Sequence, residues 1–140
     1  MKGLTERLLN FFIFLRMMKK KIYVVDDTLL VRKIAIGFYE CGGYEARGFP
    51  DAGSLLEAIA RGERPDLILM DTKMPGIMGY EACERLKRDE ATSGIKIIGA
   101  SGADADSYER RWREAGADYF TPKPFSLGTL LDKTRELLEE

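Results

Sequence analysis

Leu67-Ile68-Leu69-Met70-Asp71, running into Thr72-Lys73-Met74-Pro75-Gly76, decides how this chain is read. Four large apolar residues in a row are too few for a helix. They also lack the alternation of a half-exposed strand, so they read as a strand covered on both faces. The acid that stops the run, and the Pro-Gly pair behind it, mark where the chain turns out of a sheet. The same grammar recurs on either side. Ile22-Tyr23-Val24-Val25 runs into Asp26-Asp27, and Ile95-Lys96-Ile97-Ile98-Gly99-Ala100 runs into Ser101. Residues 118–121 form a short strand broken by Lys123-Pro124, and residues 44–49 a weaker one suited to a sheet edge.

Helical patterns lie between these runs. Leu30, Ile34 and Phe38 recur at helical spacing within residues 28–41, and Gly42-Gly43 ends that helix. Asp51 can cap a helix through Ala60 that turns Leu55, Leu56 and Ile59 inward. Further helices fall at about residues 80–89 and 105–115, the latter stopped by Gly116. Ser126 can cap the last, which carries Leu127, Leu130, Leu131, Leu137 and Leu138. Five apolar strands alternating with five helices predict an α/β fold: a doubly wound, flavodoxin-like, five-stranded parallel sheet of order 2-1-3-4-5.

Length and composition agree with one domain. The chain has 140 residues, 45% of them hydrophobic and 32% charged, with 22 Lys and Arg against 23 Asp and Glu. So near a balance provides no global field to recruit nucleic acid or anionic lipid, and no direct nucleic-acid partner is expected. Cys41 and Cys83 belong to no CxxC or Cys/His cluster, which points to a reducing, cytoplasmic setting. The chain contains no histidine, which excludes imidazole as base, nucleophile or metal ligand.

Residues 1–18 stand apart from the domain predicted at 19–140. They carry the apolar run Leu8-Leu9-Asn10-Phe11-Phe12-Ile13-Phe14-Leu15, followed by Arg16 and Lys19-Lys20-Lys21. The run is too short to span a bilayer, and no small-residue cleavage site follows it. Three readings stay open: a translated leader upstream of a start at Met17 or Met18, an added helix packed on this domain or a second copy, or a membrane-surface anchor.

In a doubly wound sheet, chemistry sits beyond the carboxyl ends of the strands. Those ends carry Asp26 and Asp27, Asp71, Ser101 and Lys123. At an effective dielectric near 20, two carboxylates about 4 Å apart repel by about 4 kcal/mol. One lysine cannot neutralise three acids. A hard divalent cation with oxygen ligands fits the deficit, and Mg²⁺ suits a site with few protein ligands. The other groups match phosphoryl transfer to a carboxylate. The metal would bridge acids and phosphoryl group, Lys123 would pair with a second oxygen, and Ser101 would hydrogen-bond a third.

Tyr23-Val24-Val25-Asp26-Asp27, Leu69-Met70-Asp71-Thr72-Lys73-Met74-Pro75-Gly76 and Thr121-Pro122-Lys123-Pro124-Phe125 together resemble the signature blocks of two-component response-regulator receiver domains. The likeness runs from about Lys19 to Glu139. It implies that Asp71 is the phosphoacceptor, taking a phosphoryl group from a sensor histidine kinase or histidine phosphotransfer protein. It implies Mg²⁺ bound directly by Asp27 and Asp71, through water by Asp26, and by the backbone carbonyl of Lys73. Ser101 becomes the switch hydroxyl, Phe120 the switch aromatic and Lys123 the phosphate-contacting lysine, with Lys123-Pro124 a cis bond. Such a protein is a signalling switch that catalyses only its own phosphorylation and dephosphorylation.

There are departures from the family pattern. Phe120 replaces the commoner tyrosine, Pro122 removes a backbone donor, and Lys73 sets a cation two residues beyond Asp71. Since the sequence ends at Glu140 with no output domain, the expected output is binding to a downstream target protein, with a homodimer left open. Trp112 and Tyr108 read as packing residues, and Arg110, Arg111 and Arg113 as a solvated face. A flavin-nucleotide site would want a small-residue phosphate cradle after the first strand, where two acids stand. A phosphatase of the haloacid-dehalogenase type would want an acid at Lys73. The alternative kept is a receiver-like interaction module that is not phosphorylated.

Overall fold

The computed structural model describes residues 2–139. Five strands, β1 (Lys21–Val25), β2 (Glu45–Phe49), β3 (Leu67–Asp71), β4 (Lys96–Ser101) and β5 (Tyr119–Pro122), form one sheet of order β2-β1-β3-β4-β5. Every pair is parallel. The helices are α1 (Lys2–Met18), α2 (Leu29–Cys41), α3 (Ala52–Ala60), α4 (Gly79–Arg88), α5 (Ala105–Glu114) and α6 (Leu127–Leu137). The sheet is the doubly wound, flavodoxin-like one that the pattern predicts. Among the described residues there are six helices instead of five, the additional one being α1.

The unbroken apolar strands follow from two cores, one on each face. Along β1, Tyr23 and Val25 enter one cluster with Leu55, Ile68, Met70, Ile97 and Trp112. Ile22 and Val24 enter the other with Tyr39, Leu67, Leu69, Ile98 and Leu130. Successive side chains point to opposite faces, so a strand covered on both sides must be apolar at every position. Helices α3, α4 and α5 cover the first face, and α2 and α6 the second. The edge strands β2 and β5 are less buried, as their mixed sequences require.

Local signals set the element ends. The Asp51 carboxylate accepts from Ser54 N at 2.7 Å, and the Ser126 hydroxyl from Thr129 N at 3.1 Å, caps worth about 1 kcal/mol each. Gly116, with φ of 93°, takes the left-handed turn after α5. Pro122 closes β5 opposite Ser101, on an edge strand where no further strand needs its missing N–H.

Helix α1 joins the domain at the start of β1. Its Phe12 and Leu15 line a cleft with Glu40, Tyr44, Glu45 and Ala46, yet remain 64% and 44% exposed. No helix among the described residues is long and apolar enough to cross a membrane.

Candidate functional site

The chain leaves β1 outward to β2 and then returns past β1 to β3, so the loops after β1 and β3 part in opposite directions and leave a crevice. Asp26 and Asp27 follow β1, Asp71 ends β3, Ser101 ends β4 and Lys123 follows β5. All therefore meet at one rim. One carboxylate oxygen from each of Asp26, Asp27 and Asp71 lies within 4.8 Å of the others. Lys123 Nζ is 2.5 Å from Asp26 Oδ2 and 3.0 Å from Asp71 Oδ1. Asp26 is buried, Asp71 and Lys123 are largely so, and Asp27 faces solvent.

The electrostatics show an imbalance. Burial pushes the Asp71 carboxyl above the usual carboxylate range. The Lys123 hydrogen bond opposes this and the charge of Asp26 adds to it. Burial of the Lys123 ammonium works to lower its pKa, but hydrogen bonds to Asp26 and Asp71, with their charges, carry it above the ordinary lysine value. One ammonium shared between two carboxylates leaves negative charge over. Three carboxylates, each with an oxygen this close to the others, are the donor set of a hard divalent cation, so the residues fit Mg²⁺.

Several supporting residues escape a reading of sequence alone. Asp26 Oδ1 accepts from Thr28 N at 2.9 Å, and the Asp26 carbonyl accepts from Arg32 Nη1 at 2.6 Å. Thr72 N donates to Asp71 Oδ1 at 2.9 Å. Lys123 lies on that same oxygen, so both contacts fall on Oδ1 and neither on Oδ2.

Thr72 is a junction. Its hydroxyl donates to the Ala100 carbonyl at 2.7 Å and accepts from Trp112 Nε1 at 2.8 Å, and its carbonyl accepts from Gly79 N at 2.8 Å. Trp112, expected only to pack, is fully buried and also donates this hydrogen bond. It fits because Gly99 and Gly79 lack side chains: a Cβ on Gly99 would stand 2.6 Å from Trp112 Cε2, and one on Gly79 2.9 Å from Cζ2. Glycine inside an apolar strand was the available signal of such a close approach.

Lys73 pairs through Nζ with Asp104 Oδ2 at 2.7 Å and lies over the Tyr108 ring. Asp104 raises its pKa, so this cation beside the site is already engaged. Ser101 is buried, and its carbonyl accepts from Lys123 N at 2.8 Å. Phe120 lies on β5 opposite Gly99, half-buried against the first core cluster. The Lys123-Pro124 peptide is cis.

Comparison with known proteins places this geometry. The response regulator receiver domain family matches residues 22–135. The chain is 34% identical over 122 residues to the phosphate regulon transcriptional regulatory protein PhoB of Pseudomonas aeruginosa, covering 87% of this chain and 53% of PhoB. It thus spans about half the length of that relative. It is 31% identical over 121 residues to the polar-differentiation response regulator DivK of Brucella anthropi, covering 86% of this chain and 98% of DivK. Among solved structures, a CheY-like response regulator receiver domain protein from Methanospirillum hungatei superposes with a TM-score of 0.79 at 30% identity. That match covers 86% of this chain and 94% of the other.

Proposed function

This chain belongs to the response regulator receiver domain family, the signalling switches of two-component systems, and from that premise we propose that it accepts a phosphoryl group on Asp71 from a partner's phosphohistidine. The observation that carries the reading is Lys123 bridging Asp26 and Asp71 within a cluster of three carboxylates. With no histidine of its own, the chain must meet the donor imidazole on a histidine kinase or a histidine phosphotransfer protein.

The roles follow from the placement. Asp71 Oδ2, the oxygen that Thr72 and Lys123 leave alone, attacks phosphorus. The P–O bond forms as the P–N bond breaks, and the imidazole leaves with a proton from solvent. Lys123 turns its ammonium to a phosphoryl oxygen, and Ser101 donates its hydroxyl to another. Asp26, Asp27 and Asp71, with the backbone carbonyl of Lys73, would hold Mg²⁺. Bound there, the ion offsets the mutual repulsion of the acids and the charge on the transferring oxygens.

As Ser101 moves toward the phosphoryl group, Phe120 turns inward, and the surface of α5, β5 and α6 changes its affinity for a downstream protein. The receiver unit is assigned to residues 19–140 and the preceding segment is an extension of it. Its free Cys41 and Cys83 suit the cytoplasm.

The test is intact-mass measurement after acetyl phosphate treatment, with and without Mg²⁺, on wild type and Asp71→Asn. The expected result is a Mg²⁺-dependent gain of one phosphoryl group that the variant lacks. Mg²⁺ binding without any gain would instead favour an interaction module that works unphosphorylated. Amide spectra of residues 101–125 unchanged by a phosphate analogue with Mg²⁺ would sink the switch.

A further inference from the structure

The near-neutral total of the chain hides a division of charge. Residues 1–21 hold six basic residues, Lys2, Arg7, Arg16, Lys19, Lys20 and Lys21, and one acid, Glu6. Of the 22 basic and 23 acidic residues in all, the other 119 positions therefore keep 16 and 22. The arm carries a net charge of +5 and the remainder −6. Such an asymmetry marks a segment that meets an anionic surface, while the rest of the molecule is held off it.

The arm is also a helix with one predominantly apolar side. Along α1, Leu4, Leu8, Phe11 and Leu15 follow one line at helical spacing, with Phe12 and Phe14 on either flank. At 3.6 residues per turn, these six span an arc of about 160°. All six are exposed, from 44% for Leu15 to 64% for Phe12. The receiver fold covers little of this face.

We infer that α1 and Lys19 to Lys21 form a membrane-surface arm that lies in the interface of an anionic lipid bilayer. The apolar arc enters the boundary between headgroups and acyl chains, and the lysines meet the headgroups. The helix lies on the bilayer instead of spanning it, since no helix among the described residues is long and apolar enough to cross. A second copy is the weaker occupant. Two arms of +5 repel each other, whereas an anionic headgroup layer attracts each of them.

The attachment point makes the arm compatible with the site. Helix α1 enters at the amino end of β1, whereas Asp26 and Asp27 follow its carboxyl end, about 17 Å away at 3.3–3.4 Å per residue. Lipid at one end leaves the acid cluster open at the other. The inference does not rest on phosphorylation of Asp71.

Vesicle sedimentation of the full chain tests it, using equal parts phosphatidylglycerol and phosphatidylcholine against phosphatidylcholine alone. The expected result is tight, salt-sensitive binding to the anionic vesicles only. Replacing Lys19, Lys20 and Lys21 by Gln together should weaken that binding on the order of 100-fold. Phe11→Glu should weaken it with the lysines intact. Both changes fall on exposed positions, and circular dichroism of each variant reports whether the fold is kept. Equal binding to both vesicle types, or none to either, overturns the inference. So does a concentration-dependent dimer, seen by light scattering without lipid, that Phe11→Glu dissolves. Failure of Asp71 to gain a phosphoryl group would leave the sedimentation result untouched.

Discussion

Thr72→Val isolates the junction behind Asp71. The replacement keeps the shape of the side chain and removes only its hydroxyl. In the native protein that hydroxyl donates to the Ala100 carbonyl at 2.7 Å and accepts from Trp112 Nε1 at 2.8 Å. Thr72, Ala100 and Trp112 are each at most 1% exposed, so water cannot replace what is lost. An orphaned buried donor costs about 1–3 kcal/mol. The carbonyl loses one donor of the two it can accept, a smaller loss, and the added methyl returns about 0.8 kcal/mol. The net destabilisation is about 1–3 kcal/mol, or roughly 5–10 °C in Tm for a chain of this size. Urea unfolding followed by fluorescence of Trp112, the one tryptophan, measures it directly. Thr72→Ser should recover most of the loss. The N–H on Asp71 belongs to the backbone, so the phosphoryl gain should survive in both variants. A loss below about 1 kcal/mol, or a serine variant no better than valine, refutes the reasoning.

Mg²⁺ should stabilise the fold by about 1.4 kcal/mol at a tenfold excess over its Kd, and Asp27→Asn should abolish most of that gain in thermal unfolding. Asp118→Ala should cost about 1–3 kcal/mol in urea unfolding. Asp118 Oδ2 accepts from Ile97 N at 2.8 Å and pairs with the largely buried Lys87 at 2.9 Å; the Ile97 N–H would be stranded, while Lys87 would keep the Ser93 and Ile95 carbonyls. Burial, then its hydrogen bond to Glu63, raises the Tyr23 phenol from 10.0 to about 12. Between those two pH values the unfolded chain releases the proton and the folded chain retains it. Stability should therefore be intact below pH 10 and fall as pH rises toward 12, and Tyr23→Phe should flatten that fall in alkaline urea titrations.

Legibility in the sequence followed the range of the signal. Strands β1 and β3 could be read because each of their apolar residues is demanded by one face or the other, so the pattern is complete within a few positions. The acids and Lys123 could be read because each stands at or just beyond the end of its strand. Pairings across distance could not. Thr72 and Trp112 are 40 positions apart, and Lys73 and Asp104 are 31. No local periodicity records that these side chains meet. Helix α4 begins at Gly79, one residue earlier than the apolar pattern indicates, where Gly79 N donates to the Thr72 carbonyl. Helix α1 was ambiguous for a different reason. A broad apolar arc with Leu9 and Ile13 outside it suits a buried helix, a paired one or one at a lipid surface, and its exposure together with the charge of the arm narrows the choice.

The junction at Thr72 also explains why this site cannot be separated from its scaffold. Asp71 belongs to a sheet whose neighbouring strand contributes Ala100 opposite it and Ser101 one residue further on. The Thr72 hydroxyl fastens the Ala100 carbonyl, just before the peptide that would have to shift if Ser101 approached a phosphoryl group. That same hydroxyl holds Trp112, whose ring fills the space that Gly99 and Gly79 leave open. A displacement of Ser101 therefore acts on a hydrogen bond shared with α5, in a packed interior that yields by discrete rearrangement and not by gradual compression. The Ala100 carbonyl, the Thr72 hydroxyl and the Trp112 indole form one hydrogen-bonded chain from β4 to α5.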